Sequence, residues 1–512
     1  MLASGRQGKH YLFAASQPEP SVVKESTTPI PKTIMGYVSV AGPESLFGSR
    51  KRRLARTAKP FRAKAADRKA VGRELQRMGF KIITESRLGF TVAGPAAAYE
   101  ELTGGRVRAR EKFVRRGSRR CYITHLDISG RKQPRALGVA RASSPRLLID
   151  GIVLDQVRRP LQASAAPPEV NDFYLRLPEG VADGLRAGPA HARGARGAGV
   201  LVAMPDSGMA PHPYYEARSY QLLSPKTAIP GLPVDEDPQG HGTGECANIF
   251  AVAPECEVLP IRCSNDAGDT VAGMAGFGLA KEAGARIITC SWSADLDIGL
   301  LNSSERPPDI GVGILGEILD AIDDGVLVIF AAGNGNFSLE PQIPGVLAAG
   351  GVFMNKRGTL STSDLASAYQ SPWFPEQNVP TVCGLSEMDP DQYLMLPVPP
   401  GSLLDVERSG DPGDPDMPSD GTARDDGWAR FSGTSAAAPQ LAGAAAVLLS
   451  EKPGLNPKQI IEALTETARD VVRGFCNPIF ETEEARRGRD IATGAGLIDV
   501  DAALAYAEAN FT

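Results

Sequence analysis

Four near-continuous apolar runs set the strongest limit on what this chain can fold into: GVLVAMP at 199–205, ARIITCSW at 285–292, GVLVIFAAG at 325–333 and GVLAAGGV at 345–352. Each has strand length and no polar face, so both of its sides must be covered. That is the pattern of a parallel sheet packed between helices. Helical spacing falls between the runs, at 271–283 and 314–324, and helices are expected again at 435–450 and about 456–469. Strands alternating with helices predict an α/β architecture from residue 197 to the end.

The first part of the chain has a different texture. Residues 1–32 are polar and rich in Pro and Ser, and read as a flexible arm. A strand is expected at 33–41, an amphipathic helix at 66–79, two short strands at 80–85 and 88–93, a helix from Pro95 to Leu102, and an alternating strand at 105–115. The order β-α-β-β-α-β predicts a small α+β, ferredoxin-like domain over 33–120. Residues 121–196 then read as a connector, ending in a flexible stretch over AGPAHARGARGAG, before the α/β domain at 197–512.

Charge divides the chain at the same place. Residues 1–150 hold 31 Lys+Arg and 11 Asp+Glu, a net +20, and the remainder carries −25. Opposite charges of this size favour docking of the N-terminal domain on the rest of the chain in cis. The basic run at 50–64 and the Arg-rich strand at 105–120 also raise a nucleic-acid reading. Sparse aromatic interleaving makes that the weaker alternative. Residues 388–427, with ten Asp+Glu and two Lys+Arg among many Pro and Gly, read as a long acidic surface loop.

No run of 18 apolar residues exists, so no membrane helix is expected. The opening MLASGRQGKHYLFAAS lacks an apolar segment of signal length, and a cytoplasmic location is expected. Seven cysteines without CxxC spacing read as reduced thiols. Five histidines, none near a cysteine pair, predict no metal site of the zinc type.

Four short segments carry chemistry. DSG at 206–208 puts Asp206 at the end of a buried strand. GHGT at 240–243 puts His241 at the start of a helix. AAGN at 331–334 ends another strand in Asn334, and SGTSAAAP at 432–439 opens the alanine-rich helix at Ser435. A serine hydroxyl needs a base to become a nucleophile, an imidazole can serve near neutral pH, and a carboxylate behind it fixes the tautomer. A helix that starts at the serine aims backbone N–H groups at a developing oxyanion, and an asparagine amide supplies another donor.

These blocks, in the order Asp…His…Ser, resemble the catalytic domain of the subtilisin-like serine proteases, or subtilases. The resemblance implies Asp206 as orienting acid, His241 as general base, Ser435 as nucleophile and Asn334 as oxyanion donor. It also implies that the strand ITCSWS pairs with an extended peptide through Ser291, Trp292 and Ser293, with Gly333 beside them, although Trp292 also fits the core. The implied reaction is hydrolysis of peptide bonds through an acyl-enzyme. The α/β-hydrolase order Ser…Asp…His does not fit, and His241 with Asn334 separates the chain from the sedolisins.

The N-terminal pattern resembles the propeptide domain that precedes such enzymes, which implies a folding aid and inhibitor that holds the enzyme latent. Three departures stand out. Ala436 replaces the usual Met, Gly244-Glu245 replaces the usual His-Val, and a well-known calcium loop is missing after Phe250. The first two are read as outside the chemistry. No cofactor is predicted, and calcium is not. The expected partner is a polypeptide substrate, preferably basic given the acidic catalytic half. A catalytically silent scaffold is disfavoured because all four positions are filled.

Overall fold

The protein is described here from a computed structural model. It describes residues 23–25, 29–47, 57–116, 119–129, 138–142, 148–155, 159–160, 174–297, 300, 311–388, 393–409, 420–422, 425, 427–431, 433–476 and 482–511. The arm expected over 1–32 lies mostly outside these residues, as does the basic run at 50–64 up to residue 56.

The N-terminal elements are β1 (Ile34–Val40), α1 (Ala65–Arg77), β2 (Lys81–Glu85), β3 (Gly89–Gly94), α2 (Ala96–Thr103), β4 (Arg106–Arg116), β5 (Arg119–Ser129) and β6 (Ile149–Leu154). An antiparallel sheet runs β2-β3-β1-β6, with α1 and α2 on one face. The fourth position belongs to β6, not to the strand expected at 105–115. That strand, β4, pairs instead with β5 from Arg106↔Ser129 to Arg116↔Arg119. A hairpin satisfies its own backbone at short range. The apolar IVL of β6 is what the buried centre of the sheet requires, and Gly151 to Leu154 are all buried.

Every residue of β1 is buried, because both faces are covered. Ile34, Val38 and Val40 pack with Val71, Leu75, Tyr99 and Leu102 from the helices. Met35 and Tyr37 point the other way and share a core with Met274, Phe277, Ile314 and Ile318 of the α/β part. The period-2 alternation of a strand thus joins two cores through one element.

The α/β part contains β7 (Leu201–Asp206), α3 (His241–Val252), β8 (Glu257–Arg262), α4 (Gly273–Glu282), β9 (Ile287–Cys290), α5 (Val312–Asp323), β10 (Leu327–Ala331), β11 (Leu347–Met354), β12 (Val382–Leu385), α6 (Thr434–Glu451), α7 (Pro457–Glu466) and α8 (Val500–Asn510). Its central sheet runs β8-β7-β9-β10-β11 in parallel, with β12 parallel beside β11. Alternate residues again face opposite cores. Leu327, Ile329 and Ala331 of β10 pack toward α3 and α6, while Val328 and Phe330 pack toward α4 and α5.

Two segments are more ordered than their composition predicts. The stretch read as flexible holds a helix, Ala187–Ala192, because Ala187 and Ala190, three apart, both enter the core. Within the acidic region, a strand at Tyr393–Pro397 pairs with Trp428–Phe431 and a helix forms at Leu403–Arg408. Its acids are not all solvated. Buried Asp405 accepts from the Gly401 amide at 2.8 Å, and buried Asp420 accepts from the Thr422 and Arg430 amides at 2.8 and 2.9 Å. They tie down turns that apolar residues would leave unsatisfied.

The two parts also meet through charge. Asp320 on α5, with a side chain only 2% exposed, lies 3.0 Å from Arg62, 3.2 Å from Arg87 and 3.2 Å from Lys281. Ser86 Oγ donates to Glu317 at 2.6 Å, and Thr57 Oγ1 to Asp323 at 2.6 Å.

Candidate active site

β7 ends at Asp206, where a parallel sheet gathers functional side chains at its carboxyl edge. Asp206 is fully buried, and its Oδ1 lies 2.7 Å from His241 Nδ1. The same oxygen accepts the Ser207 amide at 2.7 Å. His241 is the first residue of α3. The helix can sit this close because Gly242 has no side chain: a Cβ there would strike the Gly208 carbonyl and crowd Asp206.

Asp237 anchors the approach to the helix. Its carboxylate accepts from Ser207 Oγ at 2.7 Å, from the Gly240 amide at 2.9 Å, and from the Thr243 amide and hydroxyl at 2.8 Å each. Ser207 Oγ in turn accepts from the Gly242 amide at 2.7 Å. One carboxylate therefore ties the end of β7 to the start of α3. The sequence reading passed over Asp237; an acid four residues before a helix-opening histidine was the available signal.

Ser435 is the second residue of α6 and is fully buried. Its carbonyl accepts from Ser291 Oγ at 2.8 Å, which ties the nucleophile candidate to the strand that follows β9. Asn334 follows β10. Its Oδ1 accepts from the Thr434 amide and hydroxyl, each at 2.9 Å. Those bonds turn Nδ2 toward Gly433, whose φ is +105° and where a Cβ would lie 2.7 Å from that nitrogen. Gly333 donates its amide to Thr434 Oγ1 at 3.1 Å. Asn334, Gly333 and the start of α6 are thus one hydrogen-bonded unit.

Trp292 and Ser293 form a short strand that pairs antiparallel with Pro160 and Arg159 of the same chain. The indole of Trp292 is fully buried, donates to the Pro205 carbonyl at 2.6 Å and meets Phe330 edge to face. Its side chain is core, and its backbone pairs with an extended segment.

The electrostatics centre on the imidazole. Burial works to push His241 down, but the charge of Asp206 and its hydrogen bond, then Glu245 and Asp237, outweigh it and hold the ring at about 9. Glu245, one turn further along α3, has Oε1 3.8 Å from His241 Nε2. Its burial raises the carboxyl to about 8, against the opposing pull of His241. The sequence reading placed Glu245 outside the chemistry, although i,i+4 spacing sets it on the face of His241.

A buried carboxylate–imidazole pair at the carboxyl edge of a parallel sheet, with a serine at the start of a helix packed on that sheet, is the arrangement of a serine peptidase. The chain belongs to the subtilase family, whose model matches residues 197–496, more than half its length, and it is a subtilisin-like serine endopeptidase. It is 24% identical over 368 residues to an alkaline protease of Alkalihalobacillus alcalophilus, covering 69% of this chain and 76% of that protein. It is 25% identical over 332 residues to subtilisin Savinase of Lederbergia lenta, covering 62% and 96%. Fervidolysin from Fervidobacterium pennivorans, described as a keratinolytic enzyme related to subtilisin, shares the fold with a TM-score of 0.54 at 17% identity. The match covers 92% of this chain and 61% of fervidolysin.

These relatives correct one expectation. Subtilisin homologues are mostly secreted, extracellular proteases, which conflicts with a cytoplasmic location. Absence of an apolar opening segment was too thin a basis for that reading. Among the described residues no helix is long and apolar enough to cross a membrane. Subtilase catalysis needs no cofactor, although some members bind calcium, and among the described residues no group of three His, Cys, Asp or Glu is placed to hold a metal.

Proposed function

We propose that Ser435 is the nucleophile of this endopeptidase, His241 its general base, Asp206 the carboxylate that orients the base, and Asn334 an oxyanion donor. The observation that carries the reading is the 2.7 Å contact between Asp206 Oδ1 and His241 Nδ1. It fixes the tautomer that leaves Nε2 to take the hydroxyl proton. Ser435 Oγ attacks the peptide carbonyl, the proton passes through His241 to the leaving amine, and water then hydrolyses the acyl-enzyme. Oxyanion charge develops against the start of α6 and Asn334 Nδ2. Substrate binds extended along Ser291–Ser293, with Gly333 opposite.

The N-terminal domain extends past 120, through β6 to about 155, and docks in cis as an inhibitor. Support comes from the shared core around Met35 and Tyr37, the Arg62 and Arg87 pairs with Asp320, and the ladder that Arg159–Pro160 forms with Trp292–Ser293. That segment follows Arg158 in the sequence, which with the acidic catalytic half favours basic peptides as substrates.

Replacing Ser435 by Ala tests the assignment. Peptide cleavage and labelling by a fluorophosphonate probe are both expected to vanish while the fold persists. Retention of either in Ser435→Ala overturns it.

A further inference from the structure

His241 has a carboxylate on each edge. Asp206 takes Nδ1, and Glu245, 0% exposed, brings Oε1 to 3.8 Å from Nε2, the nitrogen that must accept the serine proton. Glu245 is built into place. Its Oε2 accepts from Asn248 Nδ2 at 2.9 Å, and Asn248 Oδ1 accepts from Gln440 Nε2 at 3.2 Å. Gln440 clamps the Leu385 backbone, accepting its amide at 2.7 Å and donating to its carbonyl at 3.1 Å. The other oxygen, Oε1, is buried with no hydrogen-bond partner among the described residues, and it faces the base. A carboxylate so placed, in a site this buried, is costly unless a proton or cation comes to it.

We propose that Glu245 is a positioning residue that holds a proton against His241 Nε2, so that the base becomes available only under alkaline conditions. The inference rests on His241 being the general base. While Nε2 carries a proton, favoured there by the Glu245 carboxyl 3.8 Å away, the lone pair that must receive the Ser435 proton is occupied. Deprotonation of the pair frees it.

The titratable groups that face this pair reinforce the direction. They are Asp206 from β7, Asp237 from the turn before α3, Cys246 on α3 and Tyr215 from the short helix Pro213–Glu216. Ser435 and Gln440 from α6, and Leu385 from β12, bring no charge. The pair titrates as a unit, and the carboxylates of Asp206 and Asp237 beside it favour its keeping a proton to higher pH.

The test is the pH dependence of fluorophosphonate inactivation and of kcat/KM, measured on the full chain and on Glu245→Gln, Glu245→Val and Ser435→Ala. In the unaltered chain the acidic limb is expected well above the ordinary imidazole value of about 6.5. Glu245→Gln and Glu245→Val are expected to move it down by about one pH unit or more, as loss of a neighbouring opposite charge does. A purely structural role would lower activity without moving the limb. An acidic limb in the unaltered chain near 6.5 overturns the proposal whatever the variants do, as does a Glu245→Gln profile that overlays it. If Ser435→Ala stays active, the triad assignment itself falls. A dead Ser435→Ala beside an unshifted Glu245→Gln removes only the role of Glu245.

Discussion

Asn334 accepts from Thr434 on one side of its amide and presents Nδ2 on the other. Asn334→Ala is therefore expected to lower kcat by about 10²–10³-fold, with KM little changed, because a proposed oxyanion donor acts on charge that exists only in the transition state. Steady-state kinetics on a chromogenic peptide would show it. Gly433→Ala is expected to do comparable damage by another route, since its φ of +105° disfavours any Cβ and that Cβ would press on Nδ2. A crystal structure of Gly433→Ala with Asn334 unmoved would contradict this. At this scale the sequence was legible where a residue type announces its chemistry: Asp206, His241, Ser435 and Asn334 stand in recognisable blocks. It was not legible at Glu245 and Asp237, ordinary acids whose meaning comes from which atom they turn toward.

Among the elements, α5 joins the two parts. Asp320 sits below its ordinary carboxyl value: burial opposes the charge, but Lys281 and then Arg87 outweigh that. A depressed carboxyl contributes stability that is present above its unfolded value of 3.8 and is lost as pH falls through the lower folded value. Grip of the N-terminal domain on α5 is accordingly expected to hold at pH 5 and weaken below about 4, read by gel filtration of cleaved protein across that range. Arg62→Ala with Arg87→Ala should loosen the same contact by about 1 kcal/mol, roughly fivefold, because pairs whose arginine end is partly solvent-exposed contribute little each. The strands and helices of the α/β part were legible because burial on both faces leaves a continuous apolar run. The place of β4 was not. Its alternation marks a strand, but only the competition with β6 for the place beside β1 decides which strand takes it.

Over the whole molecule, the basic N-terminal half meets the acidic remainder through Arg62 and Arg87 on Asp320, around an apolar centre where Met35 and Tyr37 meet Phe277 and Ile318. Salt screens the first contribution and leaves the second. If the chain is cut shortly after Pro160, the two pieces are expected to co-elute even at high ionic strength. Intact-mass analysis of the purified protein should place the new terminus there. Separation of the pieces in salt alone would show that charge, and not the shared core, holds them.

The ladder between Arg159–Pro160 and Trp292–Ser293 has a kinetic corollary. A segment tethered on the Trp292–Ser293 strand would meet the proposed nucleophile at an effective molarity set by its tether, which diluting the sample does not alter. Self-scission should then be unimolecular, with a half-time that stays constant over a hundredfold change in protein concentration, while any neighbour-on-neighbour cleavage slows in proportion.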